Sequence, residues 1–117
     1  MSDYSFKKKY RLLKNSDYLD LRKNSKKIQN LNFYLIYKNN NNEFSRIGLT
    51  VSRRTGNAVV RNRIKRIIRD YYRKNRYLIQ NFDINIIAKK AVAGKTNKEI
   101  LESINSLFIK IGIERNG

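Results

Sequence analysis

Residues 59–76, VVRNRIKRIIRDYYRKNR, carry an unusual excess of positive charge. Eight of them are cations and Asp70 is the one acid: Arg61, Arg63, Lys65, Arg66, Arg69, Arg73, Lys74 and Arg76. Like charges this close repel one another and lower the stability of a folded chain. The planar fork of arginine hydrogen-bonds phosphate oxygens in pairs, so the segment indicates a polyanionic partner outside the chain.

The whole chain shares this bias, with 27 Lys and Arg against 9 Asp and Glu and a net charge of +18 over 117 residues. We expect one domain over 1–117, with residues 1–10 as a flexible basic arm. The 40% hydrophobic content is enough for a core, and folded basic domains of this size typically bind nucleic acid. Membrane association is not expected, because no stretch reads as a span, anchor or secretory signal, and we predict a cytoplasmic protein.

The residue types also limit the chemistry of the protein. The chain has no Cys and no His, which excludes thiolate chemistry, Cys-type zinc sites and the usual general base. A protein-only nuclease would need clustered carboxylates to hold two metal ions, and the acids show no such motif. We therefore predict no catalytic or metal-binding side chain and no small-molecule substrate.

Local patterns predict three helices and three strands. A short helix over 17–23 would be capped by Asn15 or Ser16, with Asp17 favourable in its first turn. Strands at 32–38 and 44–54 would form a hairpin through the Asn turn at 39–42.

The second half of the chain continues this alternation. Asn57 would cap a helix that begins near Ala58, and 82–90 reads as a further strand. Thr96 and Glu99 form a capping box for a last helix. Its predicted apolar stripe is Ile100, Leu101, Ile104, Leu107, Phe108 and Ile111. The predicted class is α+β, an α-β-β-α-β-α sandwich with one central β-sheet.

The strand at 44–54 alternates between an apolar and a small polar face. Ile47, Leu49 and Val51 share one face, and Gly48, Thr50, Ser52 and Arg54 share the other. If Phe33, Leu35 and Tyr37 pack in the core, Tyr34 and Ile36 turn outward and join this second face. Such a face suits a nucleic-acid single strand, which needs flat surfaces for stacking and a few hydrogen-bond donors. Ordinary sheet surface is the alternative for Tyr34 and Ile36.

The basic helix separates into two sides. Val60, Ile64, Ile67, Ile68 and Tyr71 form one apolar stripe. The opposite side would present Arg61, Asn62, Lys65, Arg66, Arg69, Arg73 and Arg76, about 5–6 Å from turn to turn. Arg63 is expected nearer the core boundary, and Asp70 is expected to pair with Arg66, Arg73 or Lys74. A merely solvated face is the alternative, but such faces usually intersperse Glu with Lys.

Residues 46–75, RIGLTVSRRTGNAVVRNRIKRIIRDYYRKN, resemble the bacterial ribonuclease P protein subunit. The matching parts are G-L-x-V-S, then G-N-A, then R-N-R-x-K-R-x-x-R, in the same order and spacing. The similarity covers most of the chain and is weakest at 1–9 and after about residue 95. Arg22 stands where the family commonly has a second aromatic, and Asn24-Ser25 stand where it commonly has Gly.

The resemblance implies a protein that joins a catalytic RNA, the ribonuclease P RNA, to remove 5′ leaders from precursor tRNA, with Mg²⁺-dependent hydrolysis performed by the RNA. It also implies a left-handed crossover between the strands at 46–54 and 82–89. Contacts to the catalytic RNA would come from Arg61, Asn62, Arg63, Lys65, Arg66, Arg69 and Arg73. The single-stranded leader would lie in a cleft made by Tyr18, Tyr34, Ile36, Thr50, Ser52 and Arg54. For Tyr18, core packing is an equal alternative.

Two further classes are compatible with the composition. A ribosomal-type structural RNA-binding protein with no role in tRNA maturation is the main one, and a chromatin-like DNA-binding protein is the other. Both would bind bulk nucleic acid with steep salt dependence. The ordered motif at 46–75 is what favours the ribonuclease P protein.

Overall fold

A computed structural model describes residues 8–12, 14–23 and 25–116, and side chains up to residue 114. The described residues form four strands: β1 (Lys26–Gln29), β2 (Phe33–Asn39), β3 (Arg46–Thr50) and β4 (Phe82–Ala88). They make one sheet with the order β1-β2-β4-β3. β2 is antiparallel to both β1 and β4, and β3 is parallel to β4.

Three α-helices complete the fold: α1 (Asn15–Leu21), α2 (Ala58–Asn75) and α3 (Asn97–Asn116). The mixed α+β class and the β3–α2–β4 crossover between parallel strands are confirmed, while the hand of the crossover stays a prediction. Asn57 caps α2 as predicted, because its Oδ1 accepts the N–H of Val60 at 3.0 Å. The capping box of α3 is also present. Thr96 N–H donates to Glu99 Oε1 at 2.9 Å, and Glu99 N–H donates to Thr96 Oγ1 at 3.1 Å.

The start of α1 differs from the prediction. Asn15 and Ser16 lie inside the helix, and Lys14 is the N-cap residue. Asp17 stabilises this first turn, since its carboxylate accepts the N–H of Lys14 at 3.2 Å and lies at the positive end of the helix dipole. A carboxylate in the third helical position has therefore replaced a side-chain cap.

The predicted hairpin between β2 and β3 is wrong, because β4 lies between these strands. β4 buries Phe82, Ile84, Ile86 and Ala88 on the core face and carries Ile87 on the other, an apolar composition that suits a central strand. The Asn segment is still a turn, with Asn41 in the left-handed region at φ 60°. Its Asn40 N–H donates to the Asn81 carbonyl at 2.8 Å, which ties the turn to the start of β4.

The two edge strands of the sheet differ from the prediction: β1 was not predicted, and β3 is shorter than predicted. β1 has the sequence KKIQ, which has neither alternation nor β-branched enrichment, and it covers the edge of β2. β3 ends at Thr50, and a 3-10 turn at Arg53–Thr55 follows instead of more strand. Leu12 N–H donates to the Ile47 carbonyl at 2.9 Å and covers part of the free edge of β3.

The main core lies between the sheet and the helices α2 and α3. Phe33, Leu35 and Tyr37 point into it, as predicted from alternation. The stripe of α2 is buried at Ile64 and Ile68, and Tyr72, which the stripe did not include, is fully buried. On α3, Leu101 is 38% exposed, so its predicted place in the apolar stripe is wrong, whereas the other five predicted positions are buried.

The N-terminal segment is anchored where it is described. Lys8–Tyr10 forms a 3-10 turn in which Tyr10 is buried against Phe44 and Tyr72. Residues 1–7 of the predicted arm, and Asn24, which stands where the family commonly has Gly, lie outside the described residues. Within the described ranges, no helix combines the length and apolar character needed to cross a membrane.

Candidate nucleic-acid interface

The outer face of the sheet, opposite the main core, brings together residues from three strands. Tyr34 on β2 lies beside Ile87 on β4, and Ile87 lies beside Thr50 on β3. In the next row, Ile36 lies beside Asn85, and Asn85 lies beside Gly48. Three of the predicted leader-cleft residues, Tyr34, Ile36 and Thr50, therefore share this face.

Tyr18 of α1 forms one wall of this face. Its ring lies directly over Gly48, where an added Cβ would stand 2.3 Å from the Tyr18 hydroxyl oxygen. The hydroxyl donates to the Leu12 carbonyl at 3.2 Å. Burial, and then the nearby Asp17 carboxylate, raise the pKa of Tyr18, so the hydroxyl stays protonated and neutral. Tyr18 thus packs against the outer face of the sheet and not in the main core.

An ion-pair network fixes α1 against the sheet. Arg46 on β3 donates to both carboxylate oxygens of Asp83 on β4, at 2.9 and 2.6 Å. The same guanidinium lies 3.7 Å from the carboxylate of Asp17 on α1. The hydrogen bond to Asp83 is the main cause that raises the pKa of Arg46, so this cation is permanent. These contacts hold α1 in a fixed position against the sheet, and they hold Tyr18 of α1 in the same way.

The centre of the outer face carries a polar pair that sequence reasoning missed. Thr50 Oγ1 donates to Asn85 Oδ1 at 2.9 Å. Alternation along FDINIIA puts Asp83, Asn85 and Ile87 on one side of β4, and this signal could have revealed Asn85. We call this surface the sheet cleft, defined by Tyr18, Tyr34, Ile36, Gly48, Thr50, Asn85 and Ile87.

Ser52 and Arg54 lie at the end of the sheet cleft, beyond the last residue of β3. Both are exposed, and the Ser52 carbonyl accepts the N–H of Thr55 at 3.0 Å within the 3-10 turn. The sequence predicted them on the outer face because it extended the strand to residue 54. Since β3 ends at Thr50, strand alternation does not place them there. Arg53, which was not predicted, is exposed in the same turn and adds a cation between the sheet and α2.

The basic side of α2 begins at this turn. Arg61 Nε donates to the Gly56 carbonyl at 3.1 Å, which directs the guanidinium toward the helix N-terminus. Asn62, Arg66 and Arg69 are exposed, and Lys65 is half-buried. Within the described part of the chain, Arg66 and Lys65 have no carboxylate partner. The missing acids of the sequence pattern thus leave real, solvent-facing cations.

Two of the predicted RNA-contacting arginines are engaged elsewhere. Arg63 is half-buried and donates to Asn97 Oδ1 at 2.6 Å and to the Lys95 carbonyl at 3.2 Å, so it joins α2 to the start of α3. Arg73 pairs with Asp70 at 2.5 Å, and Lys74 pairs with the same carboxylate at 3.3 Å. Asp70 and Lys74 lie on the flank of α2 that turns toward α3, as Arg63 does, whereas Arg73 projects from the outward side of the helix at nearly the same angle as Arg66.

The described residues contain no group of three or more His, Cys, Asp or Glu side chains that could hold a metal ion. Asp83 and Asp17 lie 2.6 and 3.7 Å from the same Arg46 guanidinium, so the cation that these two carboxylates share is an arginine side chain. The side chains of the described chain therefore do not fit a Mg²⁺ site, and no catalytic step can be assigned to a metal held by them.

The chain is similar to known proteins along most of its length. The family model described as Ribonuclease P matches residues 6–112. The ribonuclease P protein component of Desulforapulum autotrophicum is 49% identical over 112 residues, which cover 95% of this chain and 96% of that protein. That of Clostridium novyi is 37% identical over 110 residues, covering 92% of this chain and 97% of the relative.

Solved structures show the same fold. The RNase P protein from Thermotoga maritima, in complex with 1-(4-fluorophenyl)-2-thiourea, superposes with a TM-score of 0.81 at 31% identity, covering 86% of this chain and 99% of that chain. The RNase P protein of Staphylococcus aureus gives a TM-score of 0.78 at 34% identity, covering 83% and 90%. With the family model spanning nearly the whole sequence and these relatives matching along most of their length, the chain belongs to the ribonuclease P protein family.

Proposed function

We propose that this protein binds the catalytic RNA of ribonuclease P through α2 and holds the single-stranded 5′ leader of precursor tRNA in the sheet cleft. As a ribonuclease P protein component, the chain is part of a tRNA-processing endoribonuclease that works with an RNA subunit. We assign the two RNA ligands to two surfaces that differ in chemistry: the catalytic RNA to the cationic helix α2, and the leader to the sheet cleft with its aromatic walls.

The observation that carries the proposal is the shape of the sheet cleft. It is the outer face of the sheet, lined by the rings of Tyr18 and Tyr34 and by the aliphatic side chains of Ile36 and Ile87. Nucleotide bases in a single strand stack on such surfaces whatever their sequence, at about 1–3 kcal/mol per base. A folded duplex region could not use this face, because its bases are not available for stacking.

The cationic side of α2 complements the cleft. Arg61 and Lys65 lie one turn apart on a rigid helix and Arg66 follows directly, so their charges are presented at a fixed spacing. A folded RNA presents its phosphates at similar spacing, and pairing with them would remove the mutual repulsion of the arginines. Arg53 and Arg54 lie where α2 approaches the sheet, and we place the leader phosphates that leave the cleft beside them.

We assign the chemistry to the RNA subunit with Mg²⁺ bound mainly by that RNA. The protein offers no His or Cys, and its described carboxylates form no metal-binding group. Its contribution would be affinity and position. Binding of the leader adds contacts that mature tRNA lacks, and the cations reduce repulsion between two polyanions when Mg²⁺ is scarce.

The test is cleavage of a 5′-extended precursor tRNA at low Mg²⁺ by a bacterial ribonuclease P RNA, with and without this protein. Cleavage at the mature 5′ end that requires both components is expected, and the protein alone should be inactive. A folded protein that gives no stimulation with a matched RNA would contradict the proposal and favour a structural RNA-binding role. Hydrolysis by the protein alone would contradict the assignment of the chemistry to the RNA.

A further inference from the structure

Asn85 lies at the centre of the sheet cleft, where its chemistry differs from that of its neighbours. It is half-buried between Ile36 on β2 and Gly48 on β3, in a strand whose other central residues are isoleucines. On the β3 side of Asn85, the Tyr18 ring covers Gly48. A polar amide here gains nothing from the main core, which is on the opposite face of the sheet.

The orientation of this amide is set by Thr50. Because the Thr50 hydroxyl donates to Asn85 Oδ1 at 2.9 Å, the amide oxygen points toward β3. The amide nitrogen is left with two N–H donors. Among the described residues, no acceptor hydrogen-bonds this nitrogen. The cleft therefore presents a pair of oriented, unused donors beside flat apolar surfaces.

We propose that Asn85 makes the cleft selective for the base at one position of the leader, a role that rests on the proposed leader binding. A base that lies flat against the Tyr18 ring or Ile36 would turn its edge toward Asn85, which donates from Nδ2 to a ring nitrogen or carbonyl acceptor on that edge. If the base presents an N–H at the same place, that N–H faces the N–H donors of Asn85. Both groups are then desolvated without a hydrogen-bond partner, which disfavours binding of that base.

The surroundings of Asn85 favour a base over a phosphate as its ligand. Its immediate neighbours in the sheet, Ile36, Ile87 and Gly48, carry no charge. The cations of the same face lie further away: Lys27 is one strand beyond Ile36, and Arg46 is paired with Asp83. Phosphates are bound where the cations are, whereas stacked bases need the apolar surface. Thr50 then acts as a positioning residue, since it decides which end of the amide faces the base.

The experiment measures binding of precursor tRNAs to the assembled holoenzyme, with each leader nucleotide changed in turn to all four bases. For the wild-type protein, one position should show a spread of about five-fold or more in Kd, the lower range for a good hydrogen-bonded base contact. Asn85→Leu keeps the branched shape and removes the donors, so the spread at that position should fall below about two-fold. Other positions should be unchanged. Asn42→Leu, in the exposed turn after β2, is the matched control and should behave as wild type.

Thr50→Val provides a second and independent variant. It leaves Asn85 in place but frees the amide to turn, so the base preference should weaken at the same leader position. This variant decides the matter if Asn85→Leu does not fold. A spread that survives in Asn85→Leu, or in Thr50→Val where only that variant folds, would overturn the inference. The inference would also be overturned if the wild-type affinity for precursor depended on leader length but did not depend on the identity of the base at any leader position. If leader length itself has no effect, the leader site fails, and the proposed function with it.

Discussion

At the scale of single residues, the sheet cleft depends on Gly48, because this residue has no side chain. Gly48 lets the Tyr18 ring lie against the sheet, since a Cβ would stand 2.3 to 2.7 Å from three atoms of that side chain. Real Cβ atoms do not approach so closely, so any larger residue must displace the ring. The glycine of the G-L-x-V-S motif is thus explained by close packing on the outer face and not by backbone conformation.

Gly48→Ala should lower the free energy of unfolding by about 1–3 kcal/mol, because it overpacks the contact between α1 and the sheet. It should also weaken binding of leader-bearing precursor, since Tyr18 is a wall of the cleft. Urea unfolding and precursor titration measure the two effects. Gly94→Ala is the control, because a Cβ at Gly94 meets no atom within 4 Å. Equal stability of the two variants would contradict the packing argument.

Tyr34→Ala tests the leader cleft directly. Loss of one stacking surface should cost about 1–3 kcal/mol in the binding of leader-bearing precursor and leave the affinity for mature tRNA unchanged. Tyr77→Ala removes a tyrosine that is 60% exposed outside the cleft and should change neither. Equal losses for both ligands in Tyr34→Ala would show that this residue supports the fold and not the leader.

At the scale of elements, the cations of α2 fall into two groups. Arg61, Lys65 and Arg66 have no acidic partner among the described residues, whereas Arg73 and Lys74 both pair with Asp70. Arg63 lies toward α3 and hydrogen-bonds its start. The cations without acidic partners are therefore the ones that we propose to contact RNA.

Replacing Arg61 and Arg66 by Ala together should weaken assembly with the ribonuclease P RNA. If each releases about one counterion on binding, the slope of log K against log salt should fall by about 1–2. Lys98→Ala with Lys110→Ala removes two exposed cations from α3 and is matched in charge. A salt titration that shows the same change in both double variants would mean that net charge, and not α2, drives binding.

The last turn of α3 is tied to the sheet by a carboxylate. Glu114 accepts hydrogen bonds from Lys26 on β1 and from the hydroxyl of Tyr37 on β2. These bonds, that from Lys26 first, lower the pKa of Glu114 below its ordinary value of 4.5. A lowered folded-state pKa means that the stabilisation is present above the unfolded-state value and is lost as the pH falls through the folded-state value.

We therefore expect the free energy of unfolding to decrease on acidification below about pH 4.5, the ordinary value for Glu. Glu114→Gln should be less stable than wild type near neutral pH and should lose less stability on acidification. Glu99, whose pKa is lowered by its bonds with Thr96, would keep part of the dependence. Urea denaturation at a series of pH values measures this, and parallel curves for variant and wild type would contradict it.

At the scale of the whole molecule, repulsion outweighs attraction. Nine acids face 27 cations in the sequence, and the described acids Asp70, Asp83 and Glu114 are already engaged in ion pairs. Such pairs at a surface contribute little, about 0–1 kcal/mol each. The net charge of +18 opposes the compact state throughout, so the isolated protein is under electrostatic strain that a polyanion would relieve.

Added KCl should therefore raise the thermal unfolding midpoint of the protein without RNA, because screening at about 0.1 M and above shortens the range of repulsion to roughly 10 Å or less. The rise should be smaller in the variant lacking Arg61 and Arg66. Scanning calorimetry or circular dichroism across a salt series measures this. A midpoint that falls steadily with salt would show that the ion pairs outweigh the repulsion.

The sequence by itself determined the features that depend on neighbours along the chain. The Asn57 cap, the Thr96–Glu99 capping box and the alternation that turns Tyr34, Ile36 and Thr50 outward are confirmed in the structure. Each follows from hydrogen bonds or side-chain periods that act within a few residues, and these can be read from local patterns. The family motif at 46–75 is equally local.

Only the tertiary structure decided which strands pair and which charges remain available. Nothing near β2 or β3 shows that β4, more than 30 positions further on, lies between them, since strand choice depends on the burial of whole faces. Asn85, Arg46 with Asp83, and Tyr18 over Gly48 meet only because of that order. The engagement of Arg63 by the start of α3 is likewise a long-range contact. Local interactions specify the elements, but the free energy of packing them together selects the cleft.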